Sequence, residues 1–218
     1  MNEQEKKFRE ELYGTTTDLT DAESNCILRR LEEFDTPRYL EIGVWYCGTF
    51  CRILNFLNEN KKSYQAIGID LFESIEEEKE DVSLQTHKKT NRWNILNVAF
   101  HEHIQKTLEA KGYKNFSLIK GSSDATVDEK KLEMDLYFID GNHTYLQTKK
   151  DANSCLNFAP HGSYLVFHNA SNDQQPDIQY VNRDGGPYLV CEELKIDPRV
   201  EFVEKADRCV VFRVVKNG

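Results

Sequence analysis

The sequence predicts an α/β fold: a mostly parallel seven-stranded β-sheet with helices on both faces, closed at its C-terminal end by an antiparallel hairpin. Three observations predict it. Short apolar runs alternate with stretches of helical periodicity, and strands separated by helices pack as a parallel sheet. Arg199 to Val214 reads as two strands joined by a tight turn near Lys205-Ala206-Asp207, which adds an antiparallel edge. The chain has 218 residues, a length that suits one domain of about 150–200 residues with some decoration.

Each element has its own signal. Residues 1–20 are polar and read as a helix plus a loop. Thr20 and Glu23 form a Thr-x-x-Glu capping box, which starts a helix running to about Phe34; Pro37 ends it. Residues 1–37 are thus expected to form an N-terminal helical cap on a main unit spanning 38–218, a single domain overall, since there is no internal repeat, low-complexity tract or linker. Arg38 to Ile42 is the first strand. Phe50, Cys51, Leu54 and Leu57 then share one helical face. Tyr64 to Ile69 is the second strand, ending at Asp70. The stretch 71–93 is acidic from Glu73 to Asp81 and then carries His87, Lys88, Lys89 and Arg92; it reads as a solvated helix or loop, or as a lid over a site. Leu96, Phe100, Ile104 and Leu108 mark a helix ending near Gly112. Phe116 to Ile119 and Asp135 to Ile139 are strands. Tyr145, Thr148, Ala152, Cys155, Leu156 and Ala159 line a helix, Pro160 to Gly162 turns the chain, and Ser163 to Phe167 is the next strand. A loop rich in Asn, Asp, Gln and Gly covers 169–187.

Charge and composition exclude several classes. There are 28 Lys and Arg against 37 Asp and Glu, a net charge of −9. A duplex nucleic-acid binder needs a basic face, and an anionic membrane surface attracts basic segments, so neither partner is expected. No run approaches the ~20 apolar residues of a membrane span. The N-terminal segment MNEQEKKFREEL lacks the apolar core of a secretion signal. The six cysteines include no Cys-x-x-Cys pair and read as reduced thiols of a cytoplasmic protein. Cys47 and Cys51 share a helical spacing, which fits packed thiols better than a metal site.

In open α/β sheets ligands bind beyond the carboxyl ends of the strands, so the residues just after each strand carry the functional information. After the first strand, Gly43 permits a turn and Gly48 opens a helix. The spacing is neither the dinucleotide fingerprint GxGxxG nor a phosphate loop, and a plain strand-to-helix turn would look the same. Asp70 can accept two hydrogen bonds from a ribose diol, or merely cap the next segment. Asp140 and His143 bracket a turn at a carboxyl edge, where they suit base or metal chemistry. His168 and Asn169 end the neighbouring strand.

In this order the segments YLEIGVWYCGT, AIGIDLF, LIKGSS, DLYFIDGNHTY, Asp151, APHG and YLVFHN resemble class I S-adenosylmethionine (AdoMet)-dependent methyltransferases. The likeness is strongest to the branch with an IDGxHxY motif and a later strand ending in His-Asp, and it spans residues 38–169. The resemblance implies a Rossmann-like fold. It places Glu41, Gly43 and Gly48 around the methionine part of AdoMet, Asp70 at the ribose, and Ser122, Ser123 and Asp124 at the adenine. Asp140 would lie between cofactor and acceptor, with His143 facing the acceptor. In some members, sugar-acting ones included, carboxylates at the positions of Asp140, His168 and Asn169 hold a divalent metal such as Mg or Mn. This chain departs from that pattern at His168 and Asn169, and it has Cys47 where glycine is frequent.

The expected function is therefore O-methylation of a small hydroxylated metabolite or sugar, with His143 as general base and Asp140 orienting it or binding a metal. His87, Trp93 and the 171–187 loop are expected to contact the acceptor. Competing readings are methylation at nitrogen or of a macromolecule, and a non-catalytic AdoMet- or nucleotide-binding protein, because one fold hosts many functions. Oligomeric state is left open, a homo-oligomer included.

Overall fold

The computed structural model describes residues 19–45, 47–61, 63–72, 99–171 and 185–215. His87 and Trp93, with most of the 71–93 and 171–187 stretches, lie outside the described residues. The elements in chain order are α1 (Asp21–Glu32), β1 (Arg38–Ile42), α2 (Gly48–Asn60), β2 (Gln65–Asp70), α3 (Ala99–Ala110), β3 (Phe116–Lys120), α4 (Ser123–Lys130), β4 (Leu136–Ile139), α5 (Tyr145–Phe158), β5 (Tyr164–Phe167), α6 (Gly186–Leu194), β6 (Val200–Ala206) and β7 (Cys209–Val214).

The strands form one seven-stranded sheet in the order β3-β2-β1-β4-β5-β7-β6. Strands β1 to β5 pair in parallel, and β7 pairs antiparallel with both β5 and β6. The hairpin turn is Asp207-Arg208, between the paired Ala206 and Cys209. Strand order reverses between β1 and β4, which places the ligand crevice beyond the carboxyl ends of those two strands. Because β7 runs opposite to β5, with Phe167 beside Val210, the hairpin turn arrives at that same edge.

The period-two alternation of the strands divides the core into two layers. Tyr39, Phe138, Val166 and Val211 face Cys26, Ile27 and Leu31 of α1, Phe50, Ile53, Leu54 and Leu57 of α2, and Ile104 and Leu108 of α3. Leu40, Ile42, Tyr137, Ile139, Leu165 and Phe167 face Val127 of α4, Ala152, Cys155 and Leu156 of α5, and Val190, Cys191 and Leu194 of α6. The capping box at Thr20 and Glu23 is formed on both sides. Helix α6 starts at Gly186, inside the stretch expected to be loop, with proline in its first turn as helix starts favour. No helix among the described residues is long and apolar enough to cross a membrane.

Candidate active site

The first turn of the site is shaped by backbone. Gly43, at φ +85°, leaves β1 with its N–H on the Ile69 carbonyl, 2.9 Å away. A Cβ there would lie 2.2 Å from the Asp140 carbonyl oxygen, so only glycine lets the β1 turn press against the end of β4. Trp45 and Cys47 follow at φ +49° and +62°. Cys47 stands before α2 in the left-handed conformation that glycine adopts freely, and its side chain is buried. Gly48 is the first residue of α2.

Asp70 ends β2 with each carboxylate oxygen accepting a backbone N–H. Trp45 donates to Oδ2 and Phe72 to Oδ1, both at 2.9 Å. Burial raises the carboxyl above its ordinary range, against the opposing backbone hydrogen bonds. The backbone N–H groups of Val44 and Leu71 also bear on this carboxylate, which stands at the carboxyl end of β2. Beyond β3, Ser122 donates through Oγ to Asp124, and Ser123 Oγ donates to Asp151 Oδ1 at 2.6 Å. Gln147 Nε2 donates to the same Asp151 oxygen at 2.9 Å. Burial pushes the Asp151 carboxyl up to about 6. Glu41 lies beneath the floor of the site, 1% exposed, accepting a hydrogen bond from Tyr39 Oη at 2.6 Å. Burial holds its carboxyl well above the usual range, aided by the charges of Asp140 and Asp70 and opposed by the tyrosine.

At the end of β4, Asp140 Oδ1 is met by two imidazoles: His168 Nδ1 at 2.8 Å and His143 Nε2 at 3.2 Å. Burial would raise the Asp140 carboxyl, but the two histidines outweigh it and hold it below the usual carboxylate range. Asp140 is therefore an anion, and each of these nitrogens donates to it. His143 is partly exposed, whereas His168 is buried. The sequence also left unmarked the element that supports His143: the Gly186 N–H of α6 donates to the His143 carbonyl at 2.9 Å.

Of the three expected metal ligands, Asp140 and His168 meet each other, while Asn169 is engaged by Arg208. His168 directs Nδ1 at Asp140, and Asn169 Oδ1 accepts from the Arg208 guanidinium at 3.3 Å. A cation placed on Asn169 would face that guanidinium, so the donor set does not fit a divalent ion. Among the described residues no cluster of three His, Cys, Asp or Glu side chains has metal-binding geometry. Cys47 and Cys51 are both buried, and burial raises both thiols.

Comparisons with known proteins bear on the fold and the family. The solved structure of the O-methyltransferase NovP superposes with a TM-score of 0.65 at 15% identity, covering 92% of this chain and 82% of that one. An O-methyltransferase from Bacillus cereus, in complex with SAH, gives 0.63 at 11% identity, covering 99% and 92%. TomG from Streptomyces achromogenes, an O-methyltransferase of tomaymycin synthesis in complex with SAM, gives 0.60 at 14% identity, covering 99% and 91%. No curated protein matches the sequence. These likenesses establish the Rossmann-like methyltransferase fold. A family profile described as a methyltransferase domain matches residues 40–170, more than half of the chain; the protein belongs to that methyltransferase family.

Proposed function

We propose that the protein is an AdoMet-dependent O-methyltransferase acting on a small hydroxylated molecule, with His143 as its general base. One observation carries the reading: in a chain of the methyltransferase family, an anionic Asp140 at the switch point of the sheet holds His143 beside the crevice. The neighbours named as O-methyltransferases, two of them with SAM or SAH bound, support it.

AdoMet, when bound, supplies a methyl group activated on a sulfonium. The chain must hold it, orient the acceptor and accept a proton. Asp70 would hold the ribose diol, and Ser122, Ser123 and Asp124 would border the adenine. Glu41 and the backbone of Gly43 and Gly48 would lie around the methionine part. Because His143 Nε2–H is donated to Asp140, the basic nitrogen of the neutral ring is Nδ1. His143 Nδ1 takes the proton of the acceptor hydroxyl, a contribution of about 10²–10⁴-fold. Asp140 keeps the ring oriented and stabilises the imidazolium that results.

The test has two stages. Calorimetry with AdoMet, its demethylated product, NAD and ATP should show binding of the first two only. Labelled-methyl transfer to a panel of phenols, sugars and amines should then label oxygen, and His143→Ala should lower turnover by about 10²-fold or more at unchanged cofactor affinity. Binding without transfer to any acceptor would favour a non-catalytic protein, and label on nitrogen would move the reaction class.

A further inference from the structure

Glu23 lies on α1, remote in sequence from every motif of the site, and it is fully buried. A capping box needs one of its carboxylate oxygens, and Oε2 serves it by accepting the Thr20 N–H at 2.8 Å. Oε1 has another role. It accepts the backbone N–H of Arg208 and Arg208 Nε, both at 2.9 Å, while Arg208 Nη2 reaches Oε2 at 3.1 Å. Oε1 also lies 3.8 Å from His168 Nε2, beyond hydrogen-bond distance, and that buried nitrogen has no hydrogen-bond partner among the described residues. A capping glutamate functions well in water, and burying a carboxylate is costly unless it is paired. Its burial between Arg208 and His168 therefore calls for a reason beyond helix capping.

Arg208 in turn grips the end of β5. Nη1 donates to Asn169 Oδ1 at 3.3 Å, and its carbonyl accepts the Ala170 N–H at 2.9 Å. His168, between these contacts and the Asp140 carboxylate, is bracketed by two acidic groups and packs near Phe138, with ring centroids 6.0 Å apart. At 3% exposure His168 cannot reach an acceptor; its outlet is Asp140. We propose that Glu23 and Arg208 are positioning residues of the methyl-transfer site: by holding Asn169 and Ala170 and setting a carboxylate behind Nε2, they place His168, and through it the Asp140 carboxylate that orients His143. The first helix and the hairpin turn then support the catalytic apparatus from behind. This inference rests on the function proposed above for its kinetic consequence, though not for its structural one.

The experiment uses the full chain with ¹⁵N-labelled histidine and the variants Glu23→Gln and Glu23→Asp. Asp21→Asn, on the exposed side of the same helix, is the control. In Glu23→Gln the ring signals of His168 and His143 should shift while those of His161 stay in place. Turnover at saturating acceptor should fall about tenfold or more, as when a residue behind a catalytic group is lost, with AdoMet KM kept within about twofold. Glu23→Asp should recover part of the loss, and Asp21→Asn should change neither readout. Unmoved histidine signals, or moved signals with unchanged turnover, would overturn the inference and leave Glu23 a latch that alters only the unfolding midpoint. If Glu23→Gln does not fold, Arg208→Lys keeps the capping box and poses the same question, since lysine cannot reproduce the fork. Should the parent transfer no methyl group, the proposed function fails, while the ring signals still decide whether Glu23 and Arg208 set His168 and Asp140.

Discussion

At the scale of single residues, the site separates its carboxyl groups by environment. Asp140 is held ionised by two imidazoles, whereas Asp151, with Ser123 and Gln147 on one oxygen, is pushed up to about 6 by burial. Its Oδ2 has no hydrogen-bond partner among the described residues and lies near Gly141. A folded-state pKa raised above the unfolded value means that stability is present at low pH and lost as pH rises to about 6. From 3.8 to about 6 the loss is about 2–3 kcal/mol, at 1.36 kcal/mol per unit. Asp151→Asn cannot titrate, so its stability relative to the parent should rise by that amount between pH 4 and pH 7. Urea unfolding of both proteins across that range checks it, and a constant difference would return Asp151 to an ordinary carboxylate. Asp70 makes a ligand prediction instead. Asp70→Ala removes an acceptor pair from the proposed ribose subsite and should weaken AdoMet binding by roughly 1.5–3 kcal/mol. Calorimetry on the folded variant reads this directly, and an unchanged affinity would take Asp70 out of the site.

At the scale of elements, α6 is the part of the site that the sequence hides best. A Cβ on Gly186 would stand 2.4 Å from the His143 carbonyl oxygen and 2.5 Å from backbone atoms of Thr144 and Tyr145. Backbone cannot give way as a flexible side chain can, so Gly186→Ala should displace the His143 turn. Turnover should then drop tenfold or more, since misplacement by about 1 Å can cost 10²-fold, with cofactor affinity retained. Steady-state kinetics beside calorimetry distinguishes this from loss of the fold. The strands were legible because their apolar runs end where charge and glycine begin: Arg38–Ile42 is recovered to the residue. Asp140, His143 and His168 were legible for the same reason, as polar residues just beyond apolar strands. Helix α4 escaped notice because its eight residues bury only Thr126 and Val127, too few to show a period. Helix α6 carried one usable signal, Gly-Gly-Pro at its start, which also reads as a loop. Glu23 was legible as a helix cap only, and Arg208 carried no signal. Their meeting depends on β7 inserting between β5 and β6, a matter of tertiary order that no local pattern records.

At the scale of the whole molecule, the expected boundary at residue 37 divides a cap from a catalytic unit, and the packing argues against independence of the two. Cys26, Ile27 and Leu31 of α1 are fully buried in the same layer as α2 and α3. Arg29 and Arg30 pair with Glu204 of β6 at 3.0 and 2.7 Å, and Thr20 Oγ1 donates to Asp207 Oδ2 in the hairpin turn at 2.6 Å. The exposed Arg29 pair contributes little by itself, and Arg30–Glu204 is half-buried. The apolar burial is larger: Ile27 and Leu31 together are worth about 3–6 kcal/mol, against a total stability of about 5–15 kcal/mol for a typical domain. Removing α1 also strips Arg208 of Glu23 at the edge of the site. A chain beginning at Arg38 should therefore lose much of its margin, unfolding at distinctly lower urea and exposing the part of this core layer that Cys26, Ile27 and Leu31 close. The full chain, by contrast, should unfold in a single transition with α1 included. Urea titrations of both, followed by circular dichroism, test this. A chain starting at Arg38 with the same midpoint as the parent would show that α1 is an appendage, and would also weaken the case that it sets His168 from behind.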